Sequence, residues 1–129
     1  MSRLPSLRLV ILAAVAALVA TAAFAQHKRS FESLWGEATA GRHTLTDYVD
    51  YTMVDRGDVF WYFTKPGHDA YPSVVRRAIK RKGGRFFIDT QGWSFAAEAG
   101  QPGFKRWLAE FETLNRRLIE ALEEQTQGR

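Results

Sequence analysis

The segment Tyr62-Phe63-Thr64-Lys65-Pro66-Gly67-His68-Asp69-Ala70-Tyr71-Pro72 gathers the side chains best suited to chemistry: an ammonium, an imidazole, a carboxylate, phenols and a glycine. It leads from an apolar, strand-like stretch to a proline that suits the first turn of a helix. A strand-to-helix junction collects free backbone N–H groups and the positive end of a helix dipole, which together favour an anion. Lys65 would add charge, Gly67 would permit close backbone approach, and His68 or Tyr71 would donate a hydrogen bond, so a carboxylate or phosphate group is the ligand that fits. The plain alternative is a turn at Pro66-Gly67, with Asp69 capping the helix and His68 packed or facing water. The segment has too few glycines for a phosphate-cradling loop and lacks a Gly-Lys-Ser/Thr ending.

His68 beside Asp69 also supplies a base and an acid, and the enzymatic reading is a small extracytoplasmic hydrolase or transferase with His68 as general base. Adjacent residues rarely orient one another, however, and no serine stands in a strand-to-helix elbow; Ser73 and Ser94 are the only hydroxyls worth testing as nucleophiles. The residues therefore lean away from catalysis. His27, His43 and His68 are far apart and none has a second ligand at helical spacing, so neither a metal nor a cofactor is expected.

A second candidate is the acid-free run Arg76, Arg77, Lys80, Arg81, Lys82 and Arg85, whose first four members share one face if the segment is helical. Such a face is either simply solvated or meets an acidic protein surface, an anionic lipid headgroup or a polyanionic cell-surface polymer. Nucleic acid is not the expected partner, because no aromatics interleave with these cations as a stacking platform requires. A third is the stripe Phe104, Trp107, Phe111, Leu114 and Leu118, spaced three and four apart. It either covers the chain's own core or pairs with a second copy, making a homodimer in which the central Asn115 sets the register.

The elements that must position these residues follow from periodicity. Phe31, Leu34, Trp35 and Ala38 predict a helix capped by Ser30 and ended near Gly41. A strand is expected from Tyr48 to Val54, with a short helix capped by Thr46 as the alternative. Asp55-Arg56-Gly57-Asp58 has tight-turn chemistry, and Val59-Phe60-Trp61-Tyr62-Phe63, apolar on both faces, reads as the central strand. Val74, Val75, Ala78 and Ile79 predict a helix from Pro72 to Gly83-Gly84, followed by a strand from Arg85 to Thr90 and a long loop from Gln91 to Gly103. The last helix spans Phe104 to Glu123. The order α-β-β-α-β-α predicts an α+β fold: a small twisted sheet of about three strands with two or three helices packed on it in two layers, with a parallel crossover possible between the last two strands.

At the N-terminus, Arg3 and Arg8 precede an apolar run from Leu9 to Phe24 that closes on Ala23-Phe24-Ala25, the pattern of a secretory signal cleaved before Gln26. The expected organisation is a signal at 1–25 and one exported domain at 26–129, with no membrane span once the signal is removed. An uncleaved anchor is the alternative, and the positive charges direct the domain outward in either case. The alanine-rich leader is of bacterial type, which places the domain in the periplasm or the medium. Losing Arg3 and Arg8 lowers the formal net charge from +4 to +2. With no cysteine in the chain, disulfides, thiolate nucleophiles and Cys-based metal sites are all excluded. The expected function is that of a small exported binding domain, its partner an envelope protein or an anionic envelope component.

Overall fold

The structure is a computed structural model and describes residues 29–128; the signal, its cleavage point and His27 lie outside the described residues. The compact unit begins at Phe31. Its elements are helix α1 (Phe31–Thr39), strands β1 (Thr44–Asp47), β2 (Tyr51–Asp55), β3 (Val59–Thr64), β4 (Ser73–Lys82) and β5 (Arg85–Ser94), a 3-10 turn (Glu98–Gly100) and helix α2 (Gln101–Gln127). The five strands form one antiparallel sheet in sequence order, each pairing with the next.

This corrects the expected three-stranded, two-layered arrangement and its possible parallel crossover. The largest difference is at 73–82, where a strand replaces the expected helix. β4 pairs with β3 on one side and β5 on the other, and both of its faces are covered, so apolar residues occur on both. Val74 and Ala78 point to one face and Val75 and Ile79 to the other, a pattern that reads equally well as one helical side. Gly83-Gly84 is a two-residue hairpin turn and not a helix stop: both glycines take left-handed φ, 61° and 77°, as the tightest hairpins require. Pro72 accordingly starts no helix; it follows a cis peptide at Tyr71 and leads into β4.

The strand expected over 48–54 is β2 alone, beginning at Tyr51; residues 48–50 are the turn that joins it to an earlier strand, β1. β1 and β2 meet in a hairpin in which Tyr48 N–H donates to Tyr51 O at 2.9 Å and Val49 is 98% exposed at the tip. The β2–β3 turn is where expected, with Gly57 at φ 97° and its N–H donating to Asp55 Oδ1 at 2.8 Å. Part of the expected Gln91–Gly103 loop continues β5, and α2 begins earlier and runs longer than expected, over 27 residues.

The two helices cover opposite faces of the sheet. On one, Leu34 and Ala38 of α1 pack with Val54, Trp61, Phe63 and Val74, and the Trp35 and Phe31 rings meet Phe63 edge-on at 4.9 and 5.5 Å. Arg56, in the β2–β3 turn, donates to Ala38 O and Ala40 O and so ties the end of α1 to the sheet. On the other face, Trp107 and Phe111 of α2 pack with Tyr62, Ala70 and Val75. Gly92 makes this close approach possible, since a Cβ there would lie 2.8 Å from Phe104 Cζ and 2.9 Å from Leu108 Cδ2. Among the described residues no helix is long and apolar enough to cross a membrane.

Candidate functional site

The β3–β4 loop is held at both ends by backbone. Lys65 N–H donates to Asp50 O at 2.8 Å, His68 N–H to Lys65 O at 3.1 Å, and Tyr71 N–H to His68 O at 3.0 Å. Gly67, at φ 101°, turns the chain where a side chain would be strained. The four residues expected to bind an anion do not converge here. Lys65 Nζ turns to the β1–β2 hairpin, 2.7 Å from Asp47 Oδ1 and 2.7 Å from Tyr48 O. Its ammonium and the Thr52 hydroxyl hold the Asp47 carboxyl below the usual carboxylate range. Tyr71 is exposed, and its ring lies 6.4 Å from that of Phe31.

Gly67 and His68 line a shallow cleft of about 270 Å³ together with Asp50, Asp69, Arg106 and Glu110. Three carboxylates against one guanidinium make this cleft unfavourable to an anion. The helix N-terminus beside the loop belongs to α2, whose Gly103 packs so closely on Asp69 that a Cβ would lie 2.3 Å from Asp69 O. Arg106 and Trp107 each stand three or four residues from Gly103 on one side and from Glu110 on the other along α2. That spacing was the only sequence signal that they share a side of the helix, and nothing in it pointed to the loop.

His68 is packed edge-on against Trp107 at 4.8 Å, and its Nδ1 accepts from Ala70 N–H at 2.9 Å. An accepting Nδ1 leaves the proton of the neutral ring on Nε2, where it is a donor and not a base. Ser73 is fully buried: its Oγ donates to Ala70 O and its N–H to Thr64 Oγ1 at 2.9 Å, with Ser94 Oγ 3.3 Å away. These hydroxyls brace the β3–β4 connection. No group of His, Cys, Asp and Glu among the described residues is placed to hold a metal ion.

The basic residues, which a helix would have aligned, are divided by the strand. Arg76 and Lys80 point to the α1 side of the sheet, Arg77 and Arg81 to the α2 side. Arg76 stacks over Trp61 at 5.6 Å, and Arg81 over Phe86 at 5.2 Å. Arg77 belongs to the interior. Only 8% exposed, it donates from Nε to Asn115 Oδ1 at 2.8 Å and from Nη1 to the Tyr62 hydroxyl at 2.9 Å, with the Tyr62 and Phe111 rings beside its guanidinium. Asn115 Nδ2 completes the network by donating to Thr90 Oγ1 at 2.9 Å. The polar residue in the middle of the α2 stripe thus has its partners within the chain. Trp107 and Phe111 are buried on the sheet, while Leu114 is 46% exposed.

What stands out from the body of the domain is the end of the β4–β5 hairpin. β3 pairs with β4 only as far as Ala78, and Ile79 N–H makes the last contact, to Asp58 O at 2.8 Å. The pairs Lys80↔Phe87, Arg81↔Phe86 and Lys82↔Arg85 continue without β3, about 10 Å of two-stranded ribbon. Lys80, Arg81, Lys82 and Arg85 are all exposed there, and Phe87 is 49% exposed between them. Among the described residues Asp89 is the one acid in ion-pair range of them, 3.4 Å from Lys80. On the α2 side, Arg81 and Phe86 line a shallow groove with Leu122, Gln125 and Thr126.

Comparison with protein-family models, with curated proteins and with solved structures finds no match to this chain.

Proposed function

We propose that this is a small exported, non-enzymatic binding domain that meets an acidic protein surface or other anionic envelope component through the projecting end of its β4–β5 hairpin. The observation that carries the reading is the cluster Lys80, Arg81, Lys82 and Arg85 on a ribbon beyond the sheet, with a single carboxylate in ion-pair range among the described residues. Concentrated like charge on a protruding element raises the local potential and steers an oppositely charged partner. The non-catalytic part of the reading is supported by His68, whose Nδ1 is taken up by Ala70, and by Ser73 and Ser94, which bond to the surrounding loop.

The test is affinity capture and crosslinking from the native envelope fraction with the wild type and a Lys80→Glu, Lys82→Glu, Arg85→Glu variant. Loss of a specific partner in the variant, with an unchanged unfolding midpoint, is the expected result. Equal capture by both proteins would refute the hairpin as the binding element.

A further inference from the structure

β5 is an edge strand of ten residues, and its outer side has no backbone partner among the described residues. In a two-residue hairpin the residues flanking the turn exchange backbone hydrogen bonds, and the pattern then alternates. Arg85, Phe87, Asp89, Gln91 and Trp93 therefore bond inward to β4, in agreement with the next step of the ladder, where Phe95 N–H reaches Pro72 O at 2.9 Å. The N–H and C=O groups of Phe86, Ile88, Thr90 and Gly92 point away from the sheet. Long open edges are commonly blunted by proline, bulges or lysine, and β5 has no proline or lysine and pairs with β4 without a break.

We propose that β5 pairs antiparallel with β5 of a second copy of this chain, in the register that places Phe87 against Phe87 on the two-fold axis. Side-chain alternation admits only registers that shift in steps of two, and the residue types choose among them. With Phe87 on the axis, Arg85 of each copy faces Asp89 of the other, and Phe86 faces Ile88. Moving the axis to Asp89 would set two carboxylates against each other, and moving it to Arg85 would set two guanidinium groups together. Centring on Phe86 or Ile88 leaves Arg85 opposite Phe87 or Gln91 and gains no charge pair. Phe87 is also the large apolar residue that β5 leaves half-exposed, and the axis covers it with its own copy. The product is a continuous ten-stranded sheet in which Lys80 and Lys82 of both copies share one face and the two hairpin ends point in opposite directions. The inference stands on the strand edge alone and does not depend on the anionic partner proposed above.

The experiment is sedimentation velocity of the purified exported protein over a concentration series, with charge variants of the register. Wild type is expected to double its mass with concentration, and Arg85→Asp and Asp89→Arg are each expected to remain monomeric. An equimolar mixture of the two single variants, in which every facing pair is again opposite in charge, should recover the dimer. Because the chain has no cysteine, Phe87→Cys gives a second readout: two such residues across a non-hydrogen-bonded pair lie about 4.5 Å apart at Cα, within disulfide range. Under diamide Phe87→Cys should form a reducible covalent dimer and Gln91→Cys should not. A monomer at all concentrations, equal crosslinking of the two cysteine variants, or a dimer abolished by Leu114→Glu but insensitive to Asp89→Arg would each overturn the proposal.

Discussion

Replacing Asn115 with leucine removes the acceptor of Arg77 Nε and the donor to Thr90 Oγ1 while keeping the number and branching of the side-chain heavy atoms. The guanidinium cannot leave, because it is 8% exposed and wedged beside the Tyr62 and Phe111 rings. One hydrogen bond to a charged group is lost, and the buried Arg77 and the half-buried Thr90 are each left short of a partner, so the substitution is expected to cost about 2–3 kcal/mol. For a domain of this size that is a fall in Tm of roughly 10–20 °C. Arg77→Met alone strands Asn115 Oδ1 and the Tyr62 hydroxyl and should cost about 1–3 kcal/mol. The double variant is the decisive one, because apolar side chains then face each other where both polar partners stood, and exchange of a buried polar cluster for packed apolar groups is often close to neutral. It should be less destabilised than the sum of the singles by about 2 kcal/mol. Urea unfolding with a constant m-value measures all three. If the double equals the sum within about 0.5 kcal/mol, Arg77 and Asn115 do not act as one network and the reasoning fails.

The remaining expectations concern backbone approach and charge. Gly103→Ala drives a Cβ to within 2.3 Å of Asp69 O and should destabilise by about 1–3 kcal/mol, whereas Gly36→Ala, in the α1 interior with nothing within 4 Å, should stabilise by about 0.5–1 kcal/mol. Thermal unfolding of the pair distinguishes contact from simple loss of glycine. The Asp47 carboxyl is held below its ordinary pKa chiefly by its hydrogen bond from Lys65, so the stabilisation it provides is present above that ordinary value and disappears as pH falls through the lowered one. Lys65→Met should return Asp47 toward the ordinary carboxylate value, read by NMR titration of its side chain.

Helices α1 and α2 were legible because each buries one stripe and exposes the rest, which writes a period of 3.6 into the residues. β3 and the β2–β3 turn were legible through a dense aromatic run and the Asp-Arg-Gly-Asp sequence. β4 was not, for it lies between two strands and under two helices, and burial on both faces erases the alternation that identifies a strand. β5 past Thr90 was hidden for a different reason: Gln91, Gly92 and Ser94 carry no strand signal, and Gly92 is there to admit Phe104 and Leu108.

Of the candidate site, residue chemistry alone determined that basic charge is concentrated between Arg76 and Arg85 and that Asn115 needs a partner. Only the tertiary structure decided where that charge stands. Strand geometry sends Arg77 inward to Asn115, 38 positions later in the chain, and carries Lys80, Arg81, Lys82 and Arg85 out past the end of β3. It also turns Lys65 to Asp47 and sets His68 among Asp50, Asp69 and Glu110. Local spacing governs which elements form, but a buried cation finds its acceptor, and an exposed one its open surface, only when elements distant in sequence are packed together.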